Sequence, residues 1–312
     1  MAKYGFTGAK PTQSSSANTG VFGVNDVVEL LGKGKFKLQA VLADWYAVAG
    51  GGGAGGNHPR SLPLTQPGGG GGAGGFLSNN DSGLELAMFL PGTTYAISTG
   101  AGGAGGGGDP GNAGTVGNDT TWNDATNGTL TLKGGGRGGG GEPVGSNASG
   151  GSGGSGGGGG TIGGSNAGSA LTLSPMQGNN GGSSSDYFSS AGGGGKGSAG
   201  TNSNTGAFPG DGGDGYTWVD GVERAIGGCG STRQDNYQGG GATSVTDGTG
   251  NGGASRYQSH YSGLRGSNGS VGIKFPSGYT ISNPGGGLTI TSTTAGGYTT
   301  SIITGTGNIQ FD

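Results

Sequence analysis

From residue 50 onward the chain is broken by runs of consecutive or near-consecutive glycine, at 50–56, 68–75, 100–108, 134–141, 150–164, 192–197 and 239–241. In all, 89 of 312 residues are Gly, about four times the usual share of ~7%. Each ordered glycine costs roughly 1–2 kcal/mol of backbone entropy and brings no side chain to offset it. Hydrophobic residues make up only 28% of the chain, too few for an ordinary core of sheets and helices. Disorder of the whole chain, however, goes with high net charge and few aromatics. Here the formal charge is -3, with 3 Trp, 10 Tyr and 9 Phe.

Two structures suit such glycine. A flexible linker is one, but a linker needs one block and this chain has seven. The other is a set of extended helices of the polyproline II type, with three residues per turn and no internal hydrogen bonds. Without side chains such helices approach closely, and each N–H and C=O finds its partner on a neighbour. The expected fold class is therefore mostly irregular/β: stacked polyglycine type II helices (a glycine-rich sandwich) flanked by short β-strands, with little α-helix. Arg137 interrupts the block 134–141 and is expected to point outward, with Gly136 and Gly138 facing neighbours.

The glycine blocks are spaced irregularly, which excludes a fixed-period solenoid, and Gly does not recur every third residue as in collagen. Residues 35–49 (KFKLQAVLADWYAVA) are the most apolar stretch and read as one or two strands. A short helix over 25–31 is compatible with a cap at Asn25. Strands are expected at 94–99 and 129–133, and then at 270–275, 288–292, 298–304 and 308–311, where Thr and Ile concentrate. The division that follows is an attachment or oligomerisation segment at 1–49, a glycine-rich body with variable loops at 50–275, and a β-rich module at 276–312.

Several classes are disfavoured. The pI near 5.3 and the scattered 14 Lys and Arg lack the basic footprint of nucleic-acid binders. One Cys and two His make neither a disulfide nor a Cys- or His-rich metal site. No apolar run approaches the ~20 residues of a membrane span. The opening MAKYGFTGAKP has no apolar signal region, so synthesis and assembly in a cytoplasm are expected. Residues 191–198 (AGGGGKGS) imitate a phosphate loop but put Gly197 where Ser or Thr should follow Lys196. The stretch from Asp247 imitates a calcium loop but carries Thr249 at position three and Gln258 at position twelve. Neither His58 nor His260 has a nucleophile beside it. No catalytic, metal or cofactor residue is assigned.

Five stretches carry a family resemblance: NTGVFGVNDVVEL (18–30), WYAVAGGGGAGG (45–56), PGTTYAISTGAGGAGGGG (91–108), GSNGSVGIKFP (266–276) and GYTTSIITGTGNIQF (297–311). In this order they resemble glycine-rich tail-fibre and adhesin proteins of tailed bacteriophages, of marine-phage type. The dense stretch 150–164 departs from the pattern and is open to being a disordered insert. The resemblance implies a virion structural protein assembled in the host cytoplasm. It also implies attachment to other phage tail or virion proteins through the N-terminal segment, and loops that contact a host surface glycan or outer-membrane protein without catalysis. A homotrimeric fibre and a single adhesin capping a trimer both fit. The alternative is a head fibre, decoration or fibre-shaft protein with no receptor.

On a rigid scaffold, function is expected on the loops. Aromatic faces with polar neighbours suit sugar rings and protein surfaces alike, and Arg suits acidic groups. The receptor-binding candidates are Trp122, Tyr187, Phe188, Arg233, Tyr237, Arg256, Tyr257, His260 and Tyr261, with the group around Arg256 foremost.

Overall fold

The computed structural model describes residues 40–59, 65–141, 147–161, 165–185, 187–204, 208–232, 237–256 and 261–312. The expected helix at 25–31 lies outside them. The described residues hold fourteen strands in chain order: β1 (Val41–Val48), β2 (His58–Pro59), β3 (Thr65–Gln66), β4 (Phe76–Ser78), β5 (Ala87–Phe89), β6 (Thr94–Ser98), β7 (Thr120–Asp124), β8 (Gly128–Leu132), β9 (Tyr216–Thr217), β10 (Glu223–Arg224), β11 (Ser270–Pro276), β12 (Ile281–Ser282), β13 (Leu288–Ala295) and β14 (Tyr298–Phe311).

Successive side chains of a strand point to opposite faces, and β1 divides accordingly. Val41, Ala43, Trp45 and Ala47 enter one apolar cluster, while Tyr46 and Val48 enter another. A strand buried on both faces reads as an unbroken apolar run, which is why this segment stood out. The first cluster adds Phe89, Ile97, Trp122, Leu132, Ile273, Ile303, Ile309 and Phe311 from six further strands. Rings meet at its centre: Trp45 lies 4.9 Å from Trp122, and Phe89 stacks on Phe311 at 4.4 Å.

These strands form one antiparallel sheet in the order β4-β1-β11-β14-β6-β7-β8, with β5, β12 and β13 paired alongside. Its two ends nearly meet. The Gly75 N–H donates to the Lys133 carbonyl at 2.8 Å, and Phe76 N–H donates to Gln177 O at 2.9 Å. The Gln177 side chain accepts from Lys133 N–H at 2.8 Å and donates to Thr131 O at 2.9 Å. One buried glutamine thus staples β4 to the chain leaving β8. Between β13 and β14 stands Gly296-Gly297, both at positive φ (58° and 79°), with Ala295 facing Tyr298. That two-residue loop needs left-handed backbone at both positions, which glycine supplies without strain.

The expected fold class needs correction here. The described residues contain no helix, and their regular structure is a nearly closed seven-strand antiparallel barrel with a small sheet beside it, not a stack of polyglycine type II helices. The few large apolar residues sit at the ends of the glycine segments, and chain ends that carry Trp, Phe and Ile close together into a barrel. Glycine abundance says nothing about where the apolar residues meet. The expected strands at 288–292, 298–304 and 308–311 become β13 and a single 14-residue β14.

The glycine segments are extended, carry no regular element of their own, and are bonded to one another. In the first segment, Gly50, Gly53 and Gly56 donate to Asn118, Thr115 and Asn112; Gly51 and Ala54 donate to Ser267 and Leu264; Gly52 and Gly55 donate to Gly72 and Gly69, all at 2.8–3.1 Å. Consecutive residues thus address three different neighbours, so buried backbone groups are satisfied without side chains. Residues 150–161 join the same network, with Gly154 bonded to Gly134 and Gly158 to Gly70. A Cβ on Gly136 or Gly138 would fall on a neighbouring carbonyl, whereas Arg137 is half-buried with its stem against Gly151.

Candidate functional site

The glycine segments run away from the barrel and back, and their hydrogen bonds show where the outer turns gather. Gly56 bonds to Asn112, and Asn57 N–H to Tyr261 O at 3.2 Å. The Asn57 amide donates to Arg256 O at 2.5 Å, and Ser231 Oγ donates to the same carbonyl at 2.8 Å. Ser189 pairs with Thr232, whose N–H donates to Tyr237 O at 3.1 Å. Ser189 Oγ then reaches Asn204 O at 3.1 Å, and Asn204 pairs with Phe208. This chain of contacts joins Asn57, Asn112, Ser189, Asn204, Phe208, Ser231, Thr232, Tyr237, Arg256 and Tyr261 at the end opposite the barrel.

That end carries exposed rings. Tyr187, Phe188, Phe208, Tyr237 and Tyr261 are each more than two-fifths exposed. Exposed Arg256 lies 5.8 Å from the Tyr261 ring centre. Of the sequence candidates, Tyr187, Phe188, Tyr237, Arg256 and Tyr261 therefore share one end of the molecule. Arg233, Tyr257 and His260 lie outside the described residues. Trp122 is a correction: it sits at the centre of β7, 1% exposed, inside the barrel against Trp45 and Phe89. The sequence TTWND alternates in burial, so Thr120, Trp122 and Asp124 all face inward, and Trp122 is a structural plug. Among the described residues no three His, Cys, Asp or Glu side chains gather closely enough to hold a metal ion.

Two features escaped the sequence reading. One is a concavity of about 490 Å³ lined, among the described residues, by serines and asparagines between Ser165 and Asn204. The other lies at the barrel end. Buried Arg224 forms a two-pronged pair with Asp220 at 2.9 and 2.6 Å and lies 4.3 Å from the Tyr46 ring centre. Ser270 Oγ donates to Gly248 O at 2.6 Å, so the Tyr46 hydroxyl donates to Ser270 Oγ at 2.9 Å. Burial works to raise the Asp220 pKa, but the hydrogen bonds from Arg224 and the Val222 N–H outweigh it and hold the carboxyl below its usual range. This pair therefore adds stability that is fully present above the unfolded carboxyl value, near 3.9, and is lost as pH falls below it through the lowered folded-state value.

Burial likewise pushes the Tyr46 phenol up to about 12, against the lowering effects of Arg224 and Ser270. The unfolded chain then ionises this group first, near pH 10. Stability from Tyr46 is complete below about pH 10 and is lost as pH rises through about 12. In Tyr46→Phe this share of the alkaline loss should vanish, at a cost of about 1 kcal/mol at neutral pH for the missing hydrogen bond. Melting curves from pH 8 to 12 for both proteins measure it; parallel curves would refute it.

A family model for a glycine-rich domain matches residues 34–276. The match ends where β11 ends, so β12 to β14 lie beyond it. Comparison with curated proteins gives no match.

Proposed function

The chain belongs to the glycine-rich domain family, and from that premise we propose that it is a bacteriophage virion protein, a tail fibre or distal adhesin that binds a host cell-surface receptor non-covalently. One observation carries the reading: the exposed rings of Tyr187, Phe188, Phe208, Tyr237 and Tyr261, with Arg256, converge on the end opposite the barrel. Aromatic and Arg side chains dominate the energetics of protein contact surfaces. A backbone locked by hydrogen bonds holds them with little ordering cost on binding. The five-stretch resemblance to phage tail-fibre and adhesin proteins supports the same reading. In it, the segment preceding β1 attaches the protein to other virion components, and the loops meet a host glycan or outer-membrane protein.

Purified protein added to candidate host cells should bind saturably and slow phage adsorption. The variant Tyr187→Ser/Phe188→Ser/Arg256→Ala should lose at least tenfold in cell binding with an unchanged melting temperature. A folded protein that binds no cells and blocks no adsorption would overturn the adhesin reading in favour of a head-fibre or shaft role.

A further inference from the structure

We propose that the serine–asparagine concavity is a binding cleft for a neutral oligosaccharide. Three serines one register apart, Ser165, Ser184 and Ser203, form its floor, each less than 5% exposed. They come from adjacent segments: Ser165 pairs with Ser184, and Ser203 Oγ donates to Ser184 Oγ at 3.1 Å. The rim is Asn166, Ser185, Asn202 and Asn204, all exposed.

The chemistry of this lining selects the ligand class. A primary amide offers two donors and an acceptor, and a hydroxyl offers both roles. Sugar hydroxyls need that mixture. Among the described residues no charged side chain lines the cleft, so none of them favours an anionic or cationic ligand. Asn202 commits its carbonyl oxygen to the Ser183 N–H at 2.7 Å, which fixes the amide plane and presents its NH2 group. Ser183 Oγ in turn accepts from Ala167 N–H at 3.1 Å. These partners hold the wall in place before any ligand arrives, which lowers the ordering cost of binding. A volume of about 490 Å³ falls within the usual range for small-ligand sites.

An aromatic platform stands beside the rim. Asn204 and Phe208 are directly paired across an antiparallel bridge, so their side chains share one face. Phe208 is 63% exposed, so its ring face is open to a ligand. An apolar face next to an amide matches a pyranose, which has a C–H face and an equatorial ring of hydroxyls.

This inference rests on the adhesin reading, since the cleft adjoins the loop end, and it names the ligand class. The test uses the full chain with maltohexaose, mannohexaose and galactohexaose as neutral probes and an oligogalacturonate of equal length as the acidic one. Saturation-transfer NMR and titration read the binding. At least one neutral hexaose should bind. Asn204→Ala, Asn166→Ala and Phe208→Ala should each weaken it at least fivefold, with melting temperature unchanged. Preference for the oligogalacturonate, absence of binding by all three neutral probes at 10 mM, or unchanged affinity in the Asn variants would overturn the cleft. Cell binding scored in parallel separates the two readings. Cells bound without any hexaose effect leave the adhesin standing and remove the cleft; a hexaose bound without cell binding does the reverse.

Discussion

Gly138→Ala should unfold the glycine body, not merely soften it. Gly138 N–H donates to Gly53 O at 2.8 Å, and its carbonyl accepts from Gly114 N–H at 3.1 Å. On the remaining side, an added Cβ would fall on the Gly69 carbonyl oxygen and lie 2.8 Å from Gly55 N. All of these neighbours are backbone, so no rotamer change relieves the clash. Moving one segment means breaking its bonds to the others. Overpacking of ordinary cores costs about 1–3 kcal/mol because side chains can shift; here the loss should exceed about 4 kcal/mol. Gly278→Ala is the matched control, because nothing lies within 4 Å of its added Cβ, and it should stay within about 0.5 kcal/mol of the parent. Thermal melts of the two variants decide the matter. A Gly138→Ala protein melting with the parent would mean that the segments are loosely held.

The second large effect should come from β14. Phe311 stacks on Phe89 at 4.4 Å and meets Phe275 edge-on at 5.0 Å. Ile303 and Ile309 of the same strand are fully buried with it. Phe311→Ala should cost about 3–5 kcal/mol, the usual range for a buried ring. Deleting 277–312 should prevent folding altogether, since β14 separates β11 from β6 in the sheet. The outcome is of interest because the family match stops at residue 276. A truncated protein with a cooperative melt would show that the matched region closes its barrel alone. Loss of soluble protein would show that this chain depends on strands beyond the shared domain.

The strands best read from sequence were those whose residues alternate or branch at Cβ. Residues 94–99 and 270–275 correspond to β6 and β11, and the apolar run before Gly50 contains β1. β7 was missed because Thr, Asn and Asp surround its one tryptophan, and only the partner strands reveal that Trp122 faces inward. β4 is three residues long, too short for any periodicity. The fold class was misjudged for a related reason. Composition reports how much glycine there is, whereas the barrel depends on which distant segment ends meet, such as β1 with β11.

For the candidate site, residue type was legible and location was not. Tyr187, Tyr237 and Tyr261 stand out as aromatics among polar residues, but their convergence follows from bonds such as Asn57 to Tyr261. The cleft had a faint signal. Ser184 and Ser203 are nineteen residues apart, and Ser165 precedes Ser184 by the same interval. In a sequence crowded with Ser and Asn, that spacing draws no attention until the segments are seen side by side.

The rotation of inner glycine segments such as 50–56 and 68–75 among three partners also bears on how the molecule comes into being and how it ends. Many bonds in the body join residues far apart in sequence, such as Gly51 with Ser267. Loop closure must precede any reward from such contacts, so assembly should be slow. No single segment holds together without the others, leaving few partly formed states for the chain to rest in. The same interdependence works in reverse. One segment cannot peel away without disturbing three neighbours, so the barrier to unfolding should be high and the lifetime of the folded form long. In the virion role proposed above, durability outside cells would come from that barrier more than from equilibrium stability.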